Sequence, residues 1–379
     1  MLVVTRNLPP LRGGMERLNF HVLKELASAF EVQVCCPREC IADLPEGIVA
    51  NAVPLRPLWR FVASSAVAAV SAARRFRPHL VLAGSGLTAP MAGLAARAAA
   101  SRSAAYLHGL DIVADSRVYR RMWVPWFGRL AVVLVNSRHT AALATQAGVA
   151  PHRINILHPG VELPTGDFRR GEEFRQAFGL ADRPILLSVG RLTARKGLTE
   201  FVENAMPALV RAEPRLVLVV IGAEALNSIK SDAQSQLARI QAAIQRLGLA
   251  DHVRLLGTQD DATVQGAFFA ARALVFPLIE LPGDTEGFGM VAVEAAAHGI
   301  PTVAFALGGV TDSVEDGVSG KLVKAGDYAA FIQALQSTFS DFNSAAARER
   351  CRAFAGRFQW QAFGERLRQL VHNVIAASA

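Results

Sequence analysis

Short apolar runs recur along the chain at strand length and alternate with longer amphipathic or Ala-rich stretches. In the first half these runs are "MLVVT", "EVQVCC", "LVLAGS", "AAYLHG", "AVVLVNS" and "INILHPG". In the second half they are "PILLSVGR", "RLVLVVIG", "HVRLLG", "ALVFPL", "PTVAFAL" and "GKLVK". Continuous apolar strands separated by helices predict parallel sheets covered on both faces. Two such sets in series predict two doubly wound α/β domains. The pattern breaks at 158–173, "HPGVELPTGDFRRGEE", where Pro, Gly and charge displace it, so the join is expected there. The last stretch, "FQWQAFGERLRQLVHNVI", reads as an amphipathic helix with Phe363, Leu367, Leu370, Val371 and Val374 on one stripe.

Composition narrows the class. The chain has 379 residues and is 51% hydrophobic, which excludes wholesale disorder. No segment approaches the roughly 18 to 20 continuous apolar residues of a membrane span. "MLVVTRNLPP" has no basic region ahead of its apolar start and no small-residue cleavage site, so a first strand is expected there, not a signal peptide. Cys35, Cys36 and Cys40 cluster without zinc-site spacing and are expected, with Cys351, to be buried reduced thiols.

Charge is unevenly placed. Residues 1–163 carry 18 Lys and Arg against 9 Asp and Glu, a surplus of nine, whereas 164–379 carry 22 against 23. A polyanionic partner is therefore expected on the first half: an anionic membrane, a phosphate-bearing lipid or nucleic acid. A nucleic-acid reader would show a recognition-helix motif or a tract of stacking aromatics, and neither is present. Residues 117–129, "RVYRRMWVPWFGR", mix four arginines with Trp123, Trp126 and Phe127. Residues 56–77 run from "RPLWRFV" through an Ala-rich helix to "ARRFR". Such mixtures suit a membrane interface or a lipid-linked phosphate; they equally suit helices with buried aromatics and solvated arginines.

Four stretches could carry chemistry. In "TEGFGMVAVEAAAHGIP", 285–301, Gly287-Phe288-Gly289 opens a helix whose N-terminal donors suit a phosphate. Glu286 stands in the loop and Glu294 within the helix, where a carboxylate can accept from hydroxyls. Alone, the stretch fits a glycine turn with a solvated glutamate as well. In "SVGRLTARKG", 188–197, Arg191 and Lys196 follow a strand end, as a diphosphate would need. Gly13 and Gly14 in "RGGMERL" allow close backbone approach without forming a dinucleotide fingerprint. His108 ends the strand of "YLHGLD".

Together with "VNSRHTAALA", "ILHPGVE", "GGVTDSVEDGVSGKLV" and "FQWQAFGERL", these segments occur in one order. In that order the chain resembles the retaining, nucleotide-sugar-dependent glycosyltransferases of family four. The resemblance implies the GT-B fold, two Rossmann-like domains facing each other across a cleft. The N-terminal domain (1–163) would bind acceptor and the C-terminal domain (164–358) the nucleotide sugar. A final helix (359–379) would cross back onto the first domain. It also implies roles. Arg191 and Lys196, with the amides of Gly287, Phe288 and Gly289, would bind the donor diphosphate. Glu294 would hold the ribose, and Glu286 the transferred sugar. Gly13 and Gly14 would close over the phosphates, and His108 would lie near the reacting sugar. No Asp-x-Asp motif is present, so neither metal nor cofactor is expected.

The expected activity is hexosyl transfer from GDP-mannose or a UDP-hexose to a glycan or lipid-linked acceptor. The expected setting is the cytoplasm, at the inner face of the membrane, in polysaccharide or glycolipid synthesis. The competing readings are a related phosphorylase or nucleotide-sugar epimerase, and a non-catalytic basic binding protein on the same fold.

Overall fold

In the computed structural model, which describes residues 1–164, 169–224 and 235–376, every apolar run named above becomes a parallel strand. The first sheet holds β1 (Leu2–Val4), β2 (Gln33–Pro37), β3 (Val49–Val53), β4 (Leu80–Ala83), β5 (Arg102–Leu107), β6 (Val132–Val135) and β7 (Ile154–Ile156). Their order is β3-β2-β1-β4-β5-β6-β7. The second sheet holds β8 (Ile185–Val189), β9 (Val217–Ile221), β10 (Val253–Gly257), β11 (Ala273–Phe276), β12 (Thr302–Phe305) and β13 (Gly320–Val323), in the order β10-β9-β8-β11-β12-β13. Both are Rossmann-like. β3 was not among the expected strands. It lies on an edge, its "VANAV" sequence has little apolar content, and its residues are mostly exposed or half-buried.

Period-two alternation explains why these strands are apolar throughout. In the second sheet Leu186, Leu218, Val220, Val275 and Phe305 enter one core, with Phe201 and Phe331 from the covering helices. Their neighbours Ile185, Leu187, Val219, Leu274 and Phe276 enter the core on the other face. Each face therefore buries its own layer, and a polar residue in mid-strand would lack water on either side. In the first sheet alanines do much of the packing. Ala69, Ala72 and Ala73 of the helix Leu58–Phe76 and Ala92, Ala95 and Ala96 of the helix Ala89–Ala98 are buried with Leu2, Val4 and Val81. Cys35, Cys36, Cys40 and Cys351 are buried and free; burial pushes the Cys35 and Cys36 thiols up to about 12.

The chain divides into two compact units. The first comprises Met1–Gly160, Pro282–Phe288 and Trp360–Ala379; the second comprises Val161–Leu281 and Gly289–Gln359. The break expected at 158–173 contains the first of these crossings, and 165–168 of it lie outside the described residues. Chain order alone would put 282–288 with the second unit. Its contacts put it with the first.

The helix Trp360–Ala376 docks on the helix Gly14–Ala27, both in the first unit. Trp360, Phe363, Leu367 and Val371 are buried, whereas Leu370 and Val374 of the expected stripe are half-buried. The Trp360 ring stacks on His21 with centroids 3.6 Å apart and planes 2° from parallel. Arg368 forms an ion pair with Glu25. At Gly364 a Cβ would collide with the Glu25 carboxylate, so glycine permits the close approach.

Burial, reinforced by Lys24 and Arg17, pushes the His21 imidazole down to about 4 from its usual 6.5. Between those values the unfolded chain takes up a proton that the fold refuses. Stability should therefore be full above pH 6.5 and fall as the pH drops toward 4. In His21→Gln, the slope of the thermal midpoint over that window should be shallower than in the parent. Trp360→Ala should cost about 3–5 kcal/mol in urea unfolding at neutral pH.

Candidate functional site

Both sheets reverse their strand order once, between β1 and β4 and between β8 and β11. Open parallel sheets bind ligands outside the carboxyl ends of strands at such a reversal. Each unit places its chemistry-bearing residues along that rim.

In the first unit, Gly13 precedes the helix Gly14–Ala27, and a Cβ there would run into the Glu16 carboxylate. Glu16 is buried and accepts from the Asn7 amide at 2.8 Å. The Gly84 carbonyl, just past β4, ties this helix to β5: it accepts from the Asn19 amide at 3.2 Å and lies 2.9 Å from His108 Nε2. A carbonyl can only accept, so Nε2 is the donor in this contact. His108 is 6% exposed, stacks on Tyr106, and its backbone N–H donates to Asp111 Oδ1 at 2.9 Å. Ser85 Oγ and Asn136 Oδ1, past the ends of β4 and β6, are buried with no hydrogen-bonding partner among the described residues. Such groups are normally met by a ligand or water.

The loop Pro282–Phe288 is seated on the same rim. A Cβ on Gly287 would overlap the His108 carbonyl oxygen and come 2.7 Å from the Asn136 amide nitrogen. Thr140 Oγ1 donates to the Gly287 carbonyl at 3.4 Å, and Thr285 Oγ1 lies 3.0 Å from His139 Nε2. Phe288 stacks against His158 with centroids 5.3 Å apart. His139 and Thr140 are set by the first turn of the helix Arg138–Gln146, whose cap Ser137 accepts from the Thr140 N–H at 3.0 Å. Glu286, half-buried, is therefore held between fixed neighbours on both sides. Of the residues picked out from the sequence, His108 and Gly287 are in direct contact, and Gly13, Gly14, Glu286 and Phe288 share their unit.

In the second unit, Arg191 and Lys196 follow β8. They line a pocket with Ser188, Phe276, Pro277 and Val291. Both strands of the reversal, β8 and β11, thus contribute. The Lys196 ammonium lies 4.4 Å from the Phe276 ring centroid, and Arg191 is exposed. Gly197, at φ +63°, leaves no room for a side chain against the Pro277 carbonyl. Val291 belongs to the first turn of the helix Met290–Ala297. That helix follows Gly289 at φ +86°, which has no side chain to cap it; the Ala292 N–H turns back to the Gly289 carbonyl at 3.0 Å, and the helix start is of the kind that suits an anion. Glu294 is half-buried, and its carbonyl accepts from the His298 ring at 2.8 Å. Burial holds His298 below its usual range, so the ring is neutral and Nδ1 carries the donated proton.

Asn136, His139, Thr140 and His158 were not singled out from the sequence. Asn136 and His158 stand just past strand ends in "LVNS" and "ILHP", and His139 and Thr140 open the helix that follows β6; polar punctuation of an apolar run was the available signal.

A family model described as Glycosyltransferase Family 4 matches residues 12–164, and one described as Glycosyl transferases group 1 matches 171–358. The chain is 30% identical, over 98% of both chains, to a GDP-mannose-dependent alpha-(1-6)-phosphatidylinositol monomannoside mannosyltransferase of Mycolicibacterium smegmatis. The chain is a family-four glycosyltransferase. It is also 32% identical to a D-inositol 3-phosphate glycosyltransferase of Segniliparus rotundus, over 62% of this chain and half of the relative's length. Its fold matches Anabaena HepE in complex with UDP-glucose at a TM-score of 0.81, with 22% identity over 98% of this chain and 100% of HepE. It also matches the sucrose-phosphate synthase of Thermosynechococcus elongatus at 0.79, with 20% identity over 99% of both chains. These are glycosyltransferases of the GT-B fold, and this enzyme shares it.

Because the Gly287 Cα meets backbone, the glycosyltransferase cannot accommodate a methyl there by a rotamer change. Gly287→Ala should lower kcat by about a hundredfold, as expected for misplacement of a positioned group by about 1 Å. Its thermal midpoint should stay within a few degrees of the parent.

Proposed function

We propose that this glycosyltransferase moves a hexose from a nucleotide-diphosphate sugar to a glycan or lipid-linked acceptor, with retention of anomeric configuration. The observation that carries the reading lies in the second unit. Arg191, Lys196 and the first turn of the helix Met290–Ala297 adjoin one pocket at the β8/β11 reversal. As the bond from the anomeric carbon to phosphate oxygen breaks, negative charge grows on the departing diphosphate. Two cations and a helix dipole are the groups that stabilise it, without a metal. The acceptor oxygen bonds to the anomeric carbon from the same face, and its proton passes to the departing phosphate oxygen. Glu294 holds the ribose hydroxyls, and Glu286 holds the sugar being transferred. His108 lines the sugar's surroundings, and Gly13 with Gly14 approaches the phosphates.

GDP-mannose is the first donor to try. The relative that matches the full length uses it, whereas HepE, bound to UDP-glucose, shares less sequence. The acceptor reading is supported by the first unit's charge surplus and by exposed apolar side chains beside arginines. Trp59 (67% exposed) and Val67 (72%) share a face of the helix Leu58–Phe76, next to Arg60 and Arg74. Val118 and Met122 do the same beside Arg117 and Arg121. Among the described residues no helix is long and apolar enough to cross a membrane; the attachment in this reading is peripheral, at the cytoplasmic face.

A thermal-shift panel of GDP, UDP and ADP sugars should single out one base, since a ligand that binds only the native state raises stability by mass action. With that donor, Glu294→Ala should raise KM, while Glu286→Ala should lower kcat by about 10²–10³ at little change in KM. Equal turnover by Glu286→Ala and the parent would remove its assigned role. Donor consumption without any acceptor, at the rate seen with one, would favour a phosphorylase or epimerase.

A further inference from the structure

At the amino ends of β5, β6 and β7 in the first sheet lies a second pocket of about 570 Å³, within the size range of small-molecule sites. Its lining comes from residues that begin strands. Arg102 opens β5, Leu130 and Ala131 precede β6, and Arg153 precedes β7. Because these strands are parallel, the rim of His108 lies a whole strand away, roughly 20 Å at about 3.3 Å per residue. The pocket therefore does not belong to the site described above.

Its chemistry is one-signed. Arg97, Arg102, Arg129, Arg153 and His152 line it, and no Asp or Glu is among its lining residues. Trp126 gathers two of the cations. The Arg97 and Arg129 guanidinium carbons lie 5.3 and 5.4 Å from its ring centroid. Room for the ring comes from Gly93, where a Cβ would stand 2.8 Å from it. Arg153 is fixed from behind, donating to the Gly128 and Leu130 carbonyls at 3.1 and 3.3 Å. Holding four guanidiniums around one space raises mutual repulsion that an entering anion would relieve. The Trp126 ring draws Arg97 and Arg129 together, and two backbone carbonyls hold Arg153 beside them. Guanidinium forks match phosphate oxygens in pairs, which makes phosphate the fitting anion.

We propose that this pocket is a second phosphate site, one that takes a phosphomonoester or phosphodiester group separately from the nucleotide sugar. The phosphate belongs either to a lipid headgroup or to a soluble compound.

The test uses the full chain carrying Arg191→Ala and Lys196→Ala, so that the donor phosphates have lost their cations. Calorimetric titration with pyrophosphate at low salt reads the soluble source. Flotation with phosphatidylglycerol vesicles, against phosphatidylcholine vesicles, reads the lipid source. Adding Arg97→Gln and Arg129→Gln, both at exposed positions, should weaken binding at least tenfold in one arm and so identify the source. Arg97→Lys with Arg129→Lys, which keeps charge and loses the fork, should fall between. Binding in both arms unchanged within twofold, or absent in both before the pocket is altered, would overturn the proposal. So would pyrophosphate binding that disappears with Arg191 and Lys196 alone, if vesicle binding is also indifferent to Arg97 and Arg129.

Discussion

A missing side chain at Gly287 governs how the loop that carries Glu286 is placed. The glycine lies against the His108 carbonyl, a main-chain contact with little freedom to yield, and beside the Asn136 side-chain amide. Thr285 on His139, Thr140 on the Gly287 carbonyl and Phe288 on His158 then fix the residues on either side. Each anchor comes from just beyond the end of a strand, β5, β6 or β7. Those strands are hydrogen-bonded to one another in a single parallel register, which fixes where the segments past their ends emerge. The rigidity of the loop is thus borrowed from the sheet.

The same economy operates in the second unit with different parts. The position of Gly289, at positive φ, ends one loop and begins a helix that no N-cap side chain covers. Gly197 allows the turn bearing Arg191 and Lys196 to press on the Pro277 carbonyl. In both units a glycine, by lacking a Cβ, lets two segments of backbone meet past the carboxyl ends of strands, and the polar side chains near it inherit their placement.

Most of the fold was legible because burial on two faces writes itself into the sequence as uninterrupted apolar runs. β3 escaped because an edge strand with Asn and Ala carries no such signature. The helix starting at Gly289 and the strand ending before His108 could be read from glycine and polar punctuation. That Pro282–Phe288 belongs with the first unit could not, since nothing in "PGDTEGF" records that its partners are His108, His139 and His158. Those contacts span more than a hundred residues of chain. The arginine pocket was hidden for a similar reason. Arg97, Arg102, Arg129 and Arg153 have no common spacing, and only the parallel register of three strands collects them. Trp126 and Arg129 had been noticed as part of a basic aromatic segment, without the partners that give them a shape.

The first unit is assembled from three separate stretches of chain, so it has no single boundary at which it could be cut out. A fragment ending at Gly160 would lose the Trp360 stack on His21 and the entire Glu286 loop. A chimera between two such enzymes, built by joining halves at one point, would therefore mix three contact surfaces from different parents. The residues on both sides of Gly287, and on both sides of the Trp360–His21 stack, must change together. In this chain, then, the first unit is inherited as a set of discontinuous segments, and recombination that respects the fold must exchange all of them at once.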